Sequence, residues 1–188
     1  EKDAALDETE PFDLRSLEEY RVGQFLSEKG LEGWDLRDLL PVARARGLLP
    51  QGTPGECCFE AIRSEVKTFV DRVLPLMEGG PLSPLQVDVR IGDFTLRGRI
   101  SGLYAQGLLE YRYGTLNPRD RLTCWIHHLL VNLIGSVGYP RRAILISTDT
   151  ECRYPPVEGS EEFLEGLLQM YWKGLVKPLH FFPSSSWV

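Results

Sequence analysis

The strongest constraint on the fold lies between Leu85 and Ile146, where three strand-like stretches, a helical stretch and a further strand-like run follow one another. Strand-like stretches run over Leu85 to Ile91, Phe94 to Tyr104 and Leu108 to Tyr113, joined by turns at Gly92-Asp93 and Ala105-Gln106-Gly107. Successive strand side chains face opposite ways, so this predicts three strands in an antiparallel meander. Asn117 then caps and Pro118 opens a helix whose apolar set, Leu122, Trp125, Ile126, Leu129, Leu130, Leu133 and Ile134, recurs at three and four; Gly135 and Gly138 end it. Last comes Ala143-Ile144-Leu145-Ile146, an unbroken apolar run that suits a central strand buried on both faces.

The flanking segments predict further helices. Residues 1–12 are acidic, without a periodic apolar face, and read as a disordered leader ending near Pro11. Asp13 resembles an N-cap for a helix from Leu14 to Lys29, closed by Gly30, and a second helical stretch runs from Asp35 to Arg46 with Pro41 in its middle. After the loop Leu49 to Glu56, Thr53 can cap a helix opened by Pro54, with Phe59, Ile62, Val66, Phe69, Val70, Val73 and Leu74 on its apolar face. Glu151 to Tyr154 adds a possible strand. Ser160 starts a last helix with a buried stripe of Phe163, Leu164, Leu167, Leu168, Tyr171, Trp172 and Leu175, stopped by Pro178; Leu179 to Phe182 can form a terminal strand. The order from residue 53 to 148 is αβββαβ, an α/β (α+β) class with a mixed central sheet flanked by helices. The expected organisation is a leader at 1–12, a helical extension at 13–48, a core at 49–183 and a tail at 184–188.

The 188 residues suffice for one core with an appended arm, and the start at Glu1 suggests a piece of a longer chain. No apolar run is long enough for a membrane helix, so the expected setting is soluble and cytoplasmic. The net charge of -6 misleads, because residues 1–20 hold eight acids against Lys2 and Arg15. The remaining 168 residues balance at 19 acids and 19 bases, so acidity does not exclude a nucleic-acid partner. Between Arg90 and Arg121, six arginines face only Asp93, Glu110 and Asp120, a local cationic surplus.

Metal-thiolate and nucleophile chemistry find little footing. Cys57, Cys58, Cys124 and Cys152 form no Cys-x-x-Cys pair and have no ligand-like spacing to His127, His128 or His180; they read as small buried hydrophobes. His128 falls nearly opposite the apolar stripe of its helix and His127 at the margin, which predicts surface and boundary positions. Neither a Gly-x-Ser-x-Gly elbow nor a phosphate-binding Gly-x-x-x-x-Gly-Lys-Ser/Thr loop occurs, so ATP hydrolysis is not expected and no cofactor is expected.

One constellation does carry chemistry. Leu96-Arg97-Gly98-Arg99-Ile100-Ser101 followed by Glu110-Tyr111-Arg112 has the layout of a metal-nuclease strand pair, in which Gly-x-x-Asp and Asp/Glu-x-Lys hold Mg²⁺ and activate water. Ser101 and Arg112 stand where the aspartate and lysine belong, leaving Glu110. A guanidinium stays protonated and cannot act as a base, but it can grip a phosphate bidentately. Glu56 could supply a second carboxylate, or it could simply be an acid favoured in a first helical turn. Glu110 and Arg112 share a strand face and can pair with neighbouring charges instead. Arg90, Arg97, Arg99 and Arg112 are candidate phosphate contacts, with Arg97, Arg99 and Arg112 expected along one wall; the alternative is a solvated sheet face. Tyr104, Tyr111 and Tyr113 can stack on bases if exposed, or pack.

With this order of elements the chain resembles the PD-(D/E)XK nuclease core, and it resembles the C-terminal domain family of the gamma subunit (RecC) of RecBCD-type exodeoxyribonuclease V. The stretches that carry the likeness are Leu49-Pro50-Gln51-Gly52-Thr53-Pro54-Gly55-Glu56, Leu96 to Leu116 with Gly107-Leu108-Leu109-Glu110-Tyr111-Arg112, and Leu122-Thr123-Cys124-Trp125-Ile126-His127-His128-Leu129. It extends over roughly Asp13 to Pro183. The resemblance implies a nuclease-like fold without nuclease activity, guiding or separating DNA strands within a helicase-nuclease and docking its beta and alpha subunits. Two other readings remain open: an active metal-dependent nuclease using Glu56 and Glu110, and a purely protein-scaffolding domain.

Overall fold

The computed structural model describes residues 16–135 and 138–178. The expected leader, the Asp13 cap, His180, the Leu179 to Phe182 strand and the tail lie outside the described residues. Between Arg72 and Val73 the described residues divide into two compact units.

In the first unit, α1 (Ser16–Leu31) buries Val22, Phe25 and Leu26. Gly30 does not end it. A Cβ there would lie 3.0 Å from Val70 and 3.1 Å from Leu36, so this glycine allows close packing, while Gly33, at φ 92°, makes the turn. The second stretch is not one helix: Asp35 accepts from the Arg37 amide to cap a 3-10 turn at Leu36–Leu39, and α2 (Leu40–Ala45) takes Pro41 into its first turn. Proline is tolerated there because a first-turn N–H has no intrahelical partner. α3 (Gly52–Val73) begins before Thr53, which is therefore helical rather than a cap. Phe59, Ile62, Val66, Phe69 and Val70 are buried as the periodicity predicts; Leu74 has left the helix and is exposed. Gly55 is required by space, since a Cβ would meet the Pro50 carbonyl oxygen at 2.0 Å. Cys57 is exposed, against the expectation of a buried thiol.

The second unit holds two sheets instead of one meander. β1 (Leu85–Ile91) and β2 (Phe94–Ile100) form an antiparallel hairpin. The expected 94–104 strand breaks at Ser101-Gly102, where Gly102 has φ 76°, and the chain resumes as β3 (Leu103–Tyr104) in another sheet. That sheet has the order β3-β4-β5-β6, with β4 (Gly107–Tyr111), β5 (Ala143–Ile146) and β6 (Glu151–Tyr154). β3/β4 and β5/β6 are antiparallel and β4/β5 parallel, so the sheet is mixed and α4 (Pro118–Ile134) is the crossover. Asn117 and Asp120 cap α4 reciprocally. Leu85, Val87, Ile91 and Ile100 of the hairpin share one core with Leu103, Leu108, Leu145, Leu129, Leu130 and Leu164.

Two expectations about the helices fail. His128 is fully buried, because α4 is covered on a second side by the chain that follows β6: its Nε2 donates to the Pro155 carbonyl (3.0 Å), while Asn132 accepts from the Val157 amide (3.1 Å). In α5 (Ser160–Val176), Leu164 is buried, but Phe163, Tyr171, Trp172 and Leu175 of the expected stripe are more than half exposed. The helix is apolar over too wide an arc for one contact face to cover.

Candidate nucleic-acid interface

Parity in the β1–β2 hairpin sorts its side chains. Leu85, Val87, Val89, Ile91, Phe94, Leu96 and Ile100 point to the core, so Gln86, Asp88, Arg90, Thr95, Arg97 and Arg99 occupy the other face, all exposed. Three of the four candidate phosphate contacts thus share one solvent face, opposed by a single carboxylate. Arg97 Nε lies 3.3 Å from Asp88 Oδ1 with both side chains more than two-thirds exposed, a pairing that solvent screens to little net energy. Arg90 Nε donates to the Gly92 carbonyl, which fixes the side chain without neutralising it. Arg99, opposite Gln86, has no acceptor among the described residues.

Arg112 is not on that face. It follows β4, which is not a neighbour of β2, so the expected wall of three cations loses its third member. Leu108, Glu110 and Arg112 share the side of β4 on which α4 packs. On α4, Asp120, Cys124 and His127 recur at four and three and look back at the sheet. His127 Nδ1 is 2.6 Å from Glu110 Oε1; a carboxylate can only accept, so the ring nitrogen donates. Arg112 Nη1 contacts both Asp120 oxygens at 3.1 Å, and its buried Nε finds no partner. Both charges that survive from the nuclease-like pattern are therefore tied to the crossover helix. Burial, with Glu110's charge adding to it, pushes the Cys124 thiol upward, so this cysteine is no nucleophile.

The remaining position of that pattern, Ser101, is exposed at the break between β2 and β3. The Leu109 amide donates to the Gly102 carbonyl at 2.8 Å, and continuing the β3–β4 register sets Ser101 opposite Glu110. Glu56, in the first unit, binds Arg44 Nη2 at 2.6 Å. Among the described residues, no three His, Cys, Asp or Glu side chains group as a metal site. Tyr104 is packed, whereas Tyr111 is 44% exposed.

The sequence reading missed the aromatic block around His128. Trp125 lies 5.6 Å from His128, 5.9 Å from Tyr154 and 6.1 Å from Phe163 between ring centroids. Burial holds the His128 imidazole below its ordinary range and pushes the Tyr154 hydroxyl up to about 12, so both stay neutral and serve packing. Asn132, one turn after His128 in the otherwise apolar run Leu129 to Ile134, was the available signal for a second buried face.

Comparison with known proteins agrees with the resemblance noted from the motifs. A sequence model of the RecC C-terminal domain matches residues 1–188. The RecBCD enzyme subunit RecC of Escherichia coli (strain K12) is 28% identical over 186 residues, covering 98% of this chain and 16% of that protein. The subunit of the same name from Mycolicibacterium smegmatis is 26% identical over 179 residues, 90% of this chain and 16% of its own length. That from Buchnera aphidicola subsp. Schizaphis graminum is 23% identical over 180 residues, 95% of this chain and 17% of its own. The chain thus spans about a sixth of the length of the curated relatives it matches. With the family pattern matched from end to end, this chain belongs to the RecC C-terminal domain family.

Proposed function

We propose that this chain is a noncatalytic part of a RecBCD-type helicase-nuclease that processes DNA ends for recombinational repair, where it guides or separates DNA strands and docks partner subunits. The observation that carries this reading is the commitment of Glu110 to His127 and of Arg112 to Asp120. A nuclease site needs carboxylates free to hold Mg²⁺ and a group able to activate water. Here one acid is a serine, the other is paired, and the base is a guanidinium. On this reading no cofactor is held, and the β3–β4–α4–β5 arrangement, with Ser101 set opposite Glu110, is a PD-(D/E)XK nuclease-like core whose chemistry has been lost. The arginine face of the hairpin supports contact with DNA phosphates, which needs no base recognition. The exposed apolar half of α5 supports docking of the beta and alpha subunits, with the assembly working in the cytoplasm on DNA ends or forks.

The test uses the full-length parent protein assembled with its subunits. Arg97→Glu with Arg99→Glu is expected to weaken binding of forked DNA and to lower the slope of log affinity against log salt by about 0.9 per lost duplex phosphate contact. Glu110→Gln and Glu56→Gln are expected to leave Mg²⁺-dependent cleavage at its original rate. Loss of cleavage in Glu110→Gln would overturn the noncatalytic reading. Unchanged DNA binding in the arginine variant would leave a purely protein-scaffolding role.

A further inference from the structure

We propose that a second cationic site, away from the hairpin face, holds the phosphate backbone of a nucleic-acid strand in a cavity at the end of the four-stranded sheet. The inference rests on the DNA-facing reading of this unit and adds a site to it. The cavity, about 610 Å³, lies between the β3–β4 turn, the chain entering β5 and the chain leaving β6. Arg141, Arg142 and Arg153 line it together with Gln106, and no Asp or Glu is among its lining residues. Three guanidiniums around one concavity are costly unless an anion accompanies them, because like charges repel and the walls displace screening water.

The fold holds these groups in place, and two of them, Arg141 and Arg142, have no carboxylate partner among the described residues. Arg141 Nη2 donates to the Val157 carbonyl at 3.3 Å and the Asn132 carbonyl at 3.5 Å, both neutral acceptors. The Arg142 carbonyl accepts from the Leu108 amide at 2.9 Å, an approach that Gly107 permits, since a Cβ there would stand 2.9 Å from that oxygen. This pins the backbone, while the Arg142 side chain is exposed and forms no ion pair among the described residues. Arg153, paired with Ile144 across β5 and β6, forms an ion pair with Glu151 through Nε at 2.6 Å; this offsets part of its charge, and its two terminal nitrogens lie outside that bond. Pro140, Pro155 and Pro156 stiffen the walls.

The chemistry favours a sugar-phosphate backbone. The planar fork of Arg matches a phosphate's paired oxygens, and a cavity of this size is in the range for a nucleotide-sized group. The one aromatic lining residue, Tyr154, is engaged with Trp125 and His128, so no ring is free to stack a base and the site reads no sequence. An acidic peptide from a partner subunit is the competing occupant.

The experiment uses the full-length parent protein with its associated subunits and a labelled oligothymidylate strand, with affinity measured against salt. Arg142→Gln with Arg153→Gln, both exposed and outside the core, is expected to lower the salt slope by about 1.4, at about 0.7 per single-strand phosphate contact. Arg142→Lys with Arg153→Lys is expected to keep the slope. A photo-cross-linking residue at Gln106 is expected to capture the labelled strand. An unchanged slope with no cross-link to the strand overturns the proposal. If Arg97→Gln with Arg99→Gln lowers the slope in the same assay while the cavity variant does not, only the cavity site falls; if neither does, the DNA-facing reading falls with it. Cross-linking to a partner subunit instead of the strand also overturns the proposal and assigns the cavity to an acidic peptide.

Discussion

Replacing Asn132 with alanine is expected to loosen the hold of α4 on the segment 155–160, which His128 still contacts at the Pro155 carbonyl, while the helix itself persists. Asn132 is 7% exposed and bonds in two directions: its Nδ2 donates to the His128 carbonyl at 2.8 Å and lies 3.3 Å from the His128 Nδ1, and its Oδ1 accepts from the Val157 amide at 3.1 Å. Only the second crosses between elements. A net intramolecular hydrogen bond contributes about 0.5–1.5 kcal/mol, and leaving the Val157 N–H without an acceptor adds a desolvation cost, for a total of roughly 1–3 kcal/mol. At about 1.4 kcal/mol per factor of ten, local opening of 155–160 becomes roughly 5- to 150-fold more frequent. Hydrogen exchange by mass spectrometry, on the full-length parent protein, reads that opening directly at peptides covering Val157 to Ser160. Asn132→Asp retains the acceptor for Val157 but sets a charged oxygen against the His128 carbonyl, so it is expected to loosen the α4 side as well. Unchanged protection at 155–160 in Asn132→Ala would refute the claim that this side chain fastens the segment.

Gly102→Ala forces a β-carbon into a φ of 76° and to 2.9 Å from the Leu109 carbonyl, at a cost of about 1–2 kcal/mol from conformation alone; the Leu109 amide, bonded to Gly102, is expected to exchange roughly 5- to 30-fold faster. His128 is buried neutral with its pKa lowered by burial, so the unfolded chain takes up the proton first as pH falls. The stability this group contributes is complete above its ordinary value of 6.5 and declines below it toward the folded-state pKa, by at most about 1.4 kcal/mol per pH unit, which exchange of α4 amides corrected for intrinsic rates will report. Leu175→Glu and Tyr171→Glu alter side chains that are 61% and 64% exposed, so they are expected to weaken subunit retention on gel filtration of the complex while leaving the exchange pattern of the rest of the unit unaltered.

What was legible in the sequence was local. Asn117-Pro118 marked the start of α4, and Gly92-Asp93 fixed a hairpin whose first strand runs over the expected residues, because caps and tight turns are decided by neighbours in the chain. The passage from β2 to β3 was misread, although a signal existed: Phe94, Leu96 and Ile100 keep even parity, and Leu103 breaks it. A strand cannot change parity without a bulge or a break, and Ser101-Gly102 is the break. His128 and the α5 stripe failed for the opposite reason. Burial of His128 depends on the segment after β6, and exposure of Trp172 and Leu175 on how little of α5 is covered; neither is written in helical period. The candidate site shows the same division. Alternation placed Arg97 and Arg99 together and Glu110 with Arg112, but strand adjacency was a tertiary fact, and it separated Arg112 from the hairpin face. Arg153 comes from a different stretch of sequence than the adjacent Arg141 and Arg142, and the sheet register brings them to one cavity.

The most direct test is a cryo-EM structure of the parent complex on forked DNA, read at the β1–β2 hairpin. The expected result is a backbone phosphate within about 4 Å of the Arg97 or Arg99 guanidinium, with Glu110 still bound to His127. A hairpin face covered by protein, or a metal ion held by Glu110 beside a phosphate of the strand, would contradict a noncatalytic DNA-guiding role.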